Sequence, residues 1–272
     1  MPALRGSELL VLAWCAVALL VSMRRRVPST ARMRVVTGIL GLGAVVRLVA
    51  LLPDTGVAVA VRNLVPALYV LAAYRICGAF FLAPDTRLEA WLVEVDRRAM
   101  GAAHPEHWLR DQPWLLGLLE AAYLAVYAML PLGAWSAWAA GGVDAVDQYW
   151  RVVFPAEATC YLALAWLPTR PPRTLEAWTT ELRTRSALRG ANEFVLARGS
   201  HLMNTIPSGH AAGAAAVAMA LVGLGAPWAA VFGATAAAIC VATVVGRYHF
   251  LVDTILGVGV AAAWWLAVHA WG

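Results

Sequence analysis

Long apolar stretches, broken by short polar clusters, run the whole length of this chain. A helix needs about 20 mostly apolar residues to cross the hydrocarbon core of a bilayer, and several stretches reach that size. Leu9 to Met23 is the first. It is followed by Arg24, Arg25 and Arg26 where a signal peptide would have a small-residue cleavage site, so it reads as a span. Val35 to Leu52 is the second, ended by the turn Pro53-Asp54-Thr55-Gly56, and Val57 to Leu82 is the third. Trp114 to Ala140 and Tyr149 to Leu167 give the fourth and fifth. Ser208 to Leu224, Pro227 to Val245 and Phe250 to Trp271 give the last three, with a tight hairpin at Gly225-Ala226-Pro227. Pro84 to Pro113 departs from this pattern. Leu88, Trp91, Leu92, Val95 and Ala99 recur at steps of three and four, with Glu94, Arg97 and Arg98 off that face. This spacing predicts an amphipathic helix lying in the membrane interface. A polar loop from Pro168 to Ile206 separates the fifth and sixth spans. The predicted fold is all-α, a polytopic membrane helix bundle of about eight transmembrane helices plus the interfacial helix. It reads as a single membrane domain over 1–272, with N-terminal spans and the interfacial helix in 1–113 and a catalytic part in 114–272.

Composition narrows the class further. The chain is 61% hydrophobic and 14% charged, with a mean hydropathy of +0.68. Soluble domains run near 45–50% apolar and about 25% charged, so an ordinary soluble enzyme, a disordered chain and a disulfide scaffold are excluded. All 21 basic residues are arginine, which with the abundant Ala and Val suggests a GC-rich bacterial coding sequence and a bacterial plasma membrane. The net charge of +5 forms no soluble basic patch and does not suit nucleic acid. Cys15, Cys77, Cys160 and Cys240 lie in apolar stretches at spacings that fit neither a metal site nor a disulfide frame. Arg47, Arg62 and Arg75 lie inside spans. An arginine there costs at least about 2.5–3.5 kcal/mol, so each is expected to snorkel, to face the bundle interior or to line a headgroup route.

Three polar clusters carry candidate chemistry: Pro168-Thr169-Arg170-Pro171-Pro172-Arg173, Pro207-Ser208-Gly209-His210, and Gly246-Arg247-Tyr248-His249-Phe250-Leu251-Val252-Asp253. Two spans separate His210 from His249 and none separates Arg170 from His210, so all three clusters return to one membrane face. Arg170, Arg173 and Arg247 offer planar forks that match phosphate oxygens. Ser208 and Gly209 open a helix, where free backbone N–H groups favour an anion. His249 and Asp253 are one helical turn apart, so the carboxylate can hold one ring nitrogen and leave the other as nucleophile. His210 is then available as the general acid. Together these residues suit double displacement at phosphorus through phosphohistidine. The arginines neutralise the charge, with no metal and no cofactor called for.

The Pro-Ser-Gly-His tetrapeptide, followed about forty residues later by His-x-x-x-Asp between two spans, resembles the type 2 phosphatidic acid phosphatase superfamily. In style the motifs are closest to its inositol phosphorylceramide synthase-like branch. The resemblance covers Tyr149 to Trp271 and implies a six-helix catalytic core. By resemblance, His249 is the nucleophile, Asp253 its orienting partner and His210 the acid/base, with Arg170, Arg173, Ser208, Gly209 and Arg247 on the phosphate. Two positions depart from the family pattern. The first-motif Lys falls on Ala163, and the Ser-Arg before the third-motif His falls on Ala242-Thr243. Arg173 and Arg247 are the candidates to replace the missing cations.

Asn204 and His201 lie close to the site in sequence and are read as headgroup contacts. Glu120, Tyr123 and Tyr127 on the fourth span belong to no motif and read as pocket lining or plain helix packing. The leading expectation is a phosphatase acting on a prenyl or glycerolipid phosphate, with that lipid and the surrounding membrane lipids as its partners. A phosphotransferase with a hydroxyl acceptor uses the same site. A lipid transporter with a degenerate site is the expectation from another class. Family members usually work on the extracytoplasmic side. The arginine-rich turn after the first span instead points the catalytic face inward, and span counting alone leaves the side open.

Overall fold

The computed structural model describes residues 3–24, 27–101, 112–175, 188, 190, 192, 194, 203–226 and 228–271. Its helices are α1 (Gly6–Ser22), α2 (Ser29–Ala50), α3 (Gly56–Leu64), α4 (Pro66–Cys77), α5 (Thr86–Met100), α6 (Pro113–Leu162), α7 (Pro172–Leu175), α8 (Gly209–Gly223), α9 (Ala229–Val245) and α10 (Leu251–Trp271). Among the described residues there is no strand, only an isolated antiparallel bridge between Thr169 and Asn204. Local chemistry accounts for several helix starts. Pro66 and Pro113 occupy first-turn positions, where a missing N–H costs nothing. Asp85 caps α5 by accepting from the Arg87 and Leu88 amides, and Ser208 caps α8 by accepting from the Ala211 amide.

Four segments are long and apolar enough to cross a membrane: Ser29–Ala50, Gly56–Phe80, Pro113–Ala165 and Leu251–Ala270. Gly6–Ser22, Gly209–Gly223 and Ala229–Val245 are apolar but shorter. The third of the long segments is folded. At Gly142 the backbone takes φ +67 and ψ −148, a region glycine alone enters cheaply, and the chain turns back on itself. The Tyr149 hydroxyl then donates to the Leu130 carbonyl across the two legs at 2.8 Å. α8 is built mainly of Ala, Gly and Val, is mostly buried, and packs against α6, α9 and α10. Small side chains permit that close approach. His210 sits in the first turn of α8, at the end of the bundle where the polar clusters meet.

The contacts define two ends of the bundle. At one, the Arg24 guanidinium lies 4.8 Å over the Trp166 ring, and the Asp85 amide donates to the Pro168 carbonyl at 2.7 Å. At the other, Arg62 is buried and ion-paired with Glu8 at 2.8 and 2.9 Å. Asp147 there accepts from the Gly6 and Ser7 amides, and the Trp150 indole donates to the Asn63 carbonyl. Arg62 thus faces the interior, whereas Arg47 and Arg75 are exposed on the outside. The three do not line a common path, which removes the observation that favoured a transporter.

α5 packs on the bundle through a seam that includes two acids. Trp91 is 54% exposed, while Glu89, Leu92 and Asp96 face inward. Leu92 packs with Ile206 and Phe250. Glu89 and Asp96 find strong donors on the catalytic loops: both are hydrogen-bonded there, so acids replace apolar residues on this seam. The sequence periodicity placed the helix but could not show those donors.

Candidate active site

The third cluster forms a tight turn between α9 and α10. Arg247 has φ +57, and the Tyr248 and His249 amides both donate to the Thr243 carbonyl at 2.9 Å. Thr243 stands where the family has Arg, and its hydroxyl is occupied by Thr254 and the Cys240 carbonyl. The turn directs His249 inward, where it is 6% exposed. Its ring centroid lies 5.8 Å from that of His210 at the start of α8. Nε2 of His210 and Nδ1 of His249 are buried and have no partner among the described residues. Burial, and then the nearby Arg173 cation, push the His249 imidazole down to about 3. The ring is therefore neutral at ordinary pH, the form a nucleophile needs.

Asp253 is fully buried one turn after His249. Its Oδ2 stands 3.7 Å from His249 Nδ1, too far for a hydrogen bond. That oxygen instead accepts from the Phe250 amide at 3.0 Å and the Asn204 side chain at 2.7 Å. Oδ1 has no partner among the described residues. Asn204 also donates through its amide to the Thr169 carbonyl and through Nδ2 to the Thr169 hydroxyl. It was expected at the headgroup and is found behind the carboxylate. His201 lies outside the described residues.

The other expected phosphate ligands fall into different places. The Ser208 amide already donates to the Asp253 carbonyl at 2.9 Å, and the Gly209 amide to the Thr205 hydroxyl at 3.1 Å. Neither is open to an anion. Glycine is needed at 209 for another reason: a Cβ there would stand 2.4 Å from the Tyr161 ring. Arg170 is held by Glu89 through Nε at 3.0 Å, Nη2 at 2.7 Å and its own amide at 2.8 Å. Arg170 holds the Glu89 carboxyl below its ordinary range. Arg173 forms no ion pair among the described residues, and its guanidinium lies 5.1 Å over the Tyr248 ring. The Arg173 amide donates to the Arg247 carbonyl at 3.2 Å, joining the first and third clusters. Arg247 itself is buried.

The fourth span supplies residues that no motif signalled. Tyr123 stacks on His210 at 4.7 Å and on Tyr248 at 3.8 Å, and Tyr127 meets His210 edge-on at 6.0 Å. Glu120 accepts from the Tyr248 hydroxyl at 2.6 Å and from Asn192 at 2.5 Å. A continuous stack therefore runs from Arg173 through Tyr248 and Tyr123 to His210. The step of three and four in Glu120, Tyr123 and Tyr127 was the only sequence signal, and it marks a shared face without saying what that face meets.

The sequence model of the PAP2 superfamily matches residues 90–267, from within α5 to the last turns of α10. The chain belongs to the PAP2 superfamily. No curated protein and no solved structure matches it. PAP2 membership carries phosphatase- or phosphotransferase-type activity on phosphate esters, and the apolar helices fit a membrane protein. The PAP2 match spans all three polar clusters and the tyrosine face of the fourth span, but it begins one residue after Glu89.

Proposed function

We propose that this PAP2 protein is an integral membrane lipid-phosphate phosphatase that hydrolyses a prenyl or glycerolipid phosphomonoester by double displacement. The reading is carried by the two neighbouring histidine rings, 5.8 Å apart, His249 buried and His210 half-buried, each with one buried nitrogen that has no partner among the described residues. Nδ1 of His249 faces Asp253, so Nε2 is the nitrogen that turns away from the carboxylate. Nε2 attacks phosphorus, forming the N–P bond as the lipid P–O bond breaks. His210 gives a proton to the leaving lipid oxygen. Water then attacks the phosphohistidine, His210 recovers a proton from it, and inorganic phosphate leaves as the N–P bond breaks. Arg173 and Arg247 hold the phosphoryl oxygens, and Arg170 joins them once the phosphate displaces Glu89.

Phosphate release by purified protein from a panel of lipid phosphates tests this. His249→Ala abolishes release and labelled phosphate is trapped on the wild-type histidine; full activity in the variant overturns the mechanism. The departures at Ala163 and Ala242-Thr243 favour a second reading, in which a lipid, inositol or sugar hydroxyl replaces water in the second step. Its product is a new phosphomonoester of the acceptor, and formation of free phosphate alone with every acceptor refutes it.

A further inference from the structure

We infer that Glu157 and Tyr161 form a polar brace in α6 that positions His210. Neither residue belongs to the three polar clusters, and both are buried. They stand four apart, one turn on the same face of α6, and the Tyr161 hydroxyl donates to Oε2 of Glu157. Two glycines of α8, also four apart, receive them. A Cβ at Gly209 would stand 2.4 Å from the Tyr161 ring, and one at Gly213 would stand 2.2 Å from Oε1 of Glu157. Both side chains thus lie directly on the α8 backbone, Tyr161 against the residue before His210 and Glu157 one turn further along. Tyr74 meets the Tyr161 ring edge-on at 5.3 Å.

A carboxyl is a costly choice for that slot. Its Oε1 has no hydrogen-bond partner among the described residues, and burying a polar oxygen without one is unfavourable. An apolar side chain would fill the space over Gly213 without that cost. What only the carboxyl supplies is an acceptor for the Tyr161 hydroxyl, which fixes the ring against Gly209. On another face, the start of α8 rests on α10. The Ser208 amide donates to the Asp253 carbonyl at 2.9 Å, and a Cβ at Gly257 would stand 2.5 Å from the Ser208 carbonyl oxygen. α10 begins two residues after His249. The first turn of α8 is therefore held between the brace and the helix that follows the other histidine, and this grip sets the 5.8 Å between the two rings. Close-packed contacts transmit displacement, so a shift of Tyr161 moves His210 relative to His249. The kinetic consequence rests on the phosphatase reading, in which His210 must reach the leaving oxygen.

Phosphate release, melting temperature and histidine modification of purified full-length variants test the brace. Tyr161→Phe removes one oxygen and keeps the ring. It lowers kcat about 3- to 10-fold with KM little changed, the size of one hydrogen bond lost from a positioned acid. Glu157→Leu has the same effect, and the double variant is no worse than either single one, because the pair acts as a unit. Glu157→Gln keeps an acceptor oxygen and holds kcat within about twofold of the wild type. Modification of His210 by diethyl pyrocarbonate, followed by mass spectrometry, needs no turnover. It is faster in Tyr161→Phe than in the wild type and unchanged in Glu157→Gln. A wild-type modification rate in Tyr161→Phe overturns the inference, whatever the melting temperature, and so does a wild-type kcat in that variant of an active protein. A wild-type chain that releases no phosphate, with His210 modified faster in Tyr161→Phe, would refute the proposed reaction and leave the brace standing.

Discussion

Replacing Asn204 by alanine isolates what the carboxylate behind His249 requires. Asn204 is fully buried and touches no open part of the site. Its orientation is chemically forced, since a carboxylate only accepts hydrogen bonds and Nδ2 must therefore face Asp253. A hydrogen bond to a charged group contributes about 1.5–3 kcal/mol. Asn204→Ala leaves Oδ2 of Asp253 with the Phe250 amide alone. If Asp253 orients His249 for attack, that loss appears in the transition state, and kcat falls about 10- to 150-fold with KM little changed. Asn204→Asp sets a second carboxylate against Asp253, so its kcat at neutral pH falls further and recovers in part as pH is lowered and one of the pair is protonated. The assay is phosphate release over a range of substrate concentrations and pH, with the melting temperature followed on the same samples. An alanine variant with wild-type kcat and melting temperature, or one that raises only KM, refutes the positioning role.

Other consequences are equally direct. Tyr248→Phe keeps the ring under Arg173 and loses the bond to Glu120, while Tyr248→Leu also loses a cation–π contact of about 0.5–2 kcal/mol. Leucine should therefore raise the inhibition constant for inorganic phosphate more than phenylalanine does, and equal effects would show that the ring face is irrelevant. Gly209→Ala pushes a methyl into the Tyr161 ring, an overpacking cost of about 1–3 kcal/mol that is read as a lower melting temperature. Arg62→Ala leaves Glu8 buried and unpaired, at a cost of about 3–5 kcal/mol, and the Glu8→Ala, Arg62→Ala double variant should melt above the single one. Burial raises the Asp96 carboxyl to about 6 although it accepts from the Leu251 amide, with Asp253 raising it further and Arg247 opposing. A raised acid binds its proton more tightly in the fold, so its contribution to stability is present below about pH 4 and is lost as pH rises toward 6. Asp96→Asn removes that component from the pH profile of the melting temperature.

Much of this protein is legible in its hydrophobic pattern. Apolar stretch lengths marked the apolar helices, four segments of which are long enough to cross a membrane, the step of three and four placed α5, and the Pro-Ser-Gly-His and His-x-x-x-Asp clusters marked His210, His249 and Asp253. Such signals are local, because helix propensity, capping and burial in lipid act over one or a few turns. The partners of those residues came only from the tertiary structure. Glu89 closes on Arg170 across 81 positions, and Glu120 meets Tyr248 across 128. Asn204, expected at the substrate, lies behind Asp253, and the amides of Ser208 and Gly209 are already bonded. A polar residue in sequence shows only that it needs a partner once water is removed. Which donor or acceptor fills that need depends on helices that meet from distant parts of the chain. The sequence alone therefore determined the apolar helical class and singled out the candidate histidines, and the packing of the bundle decided which side chains surround them.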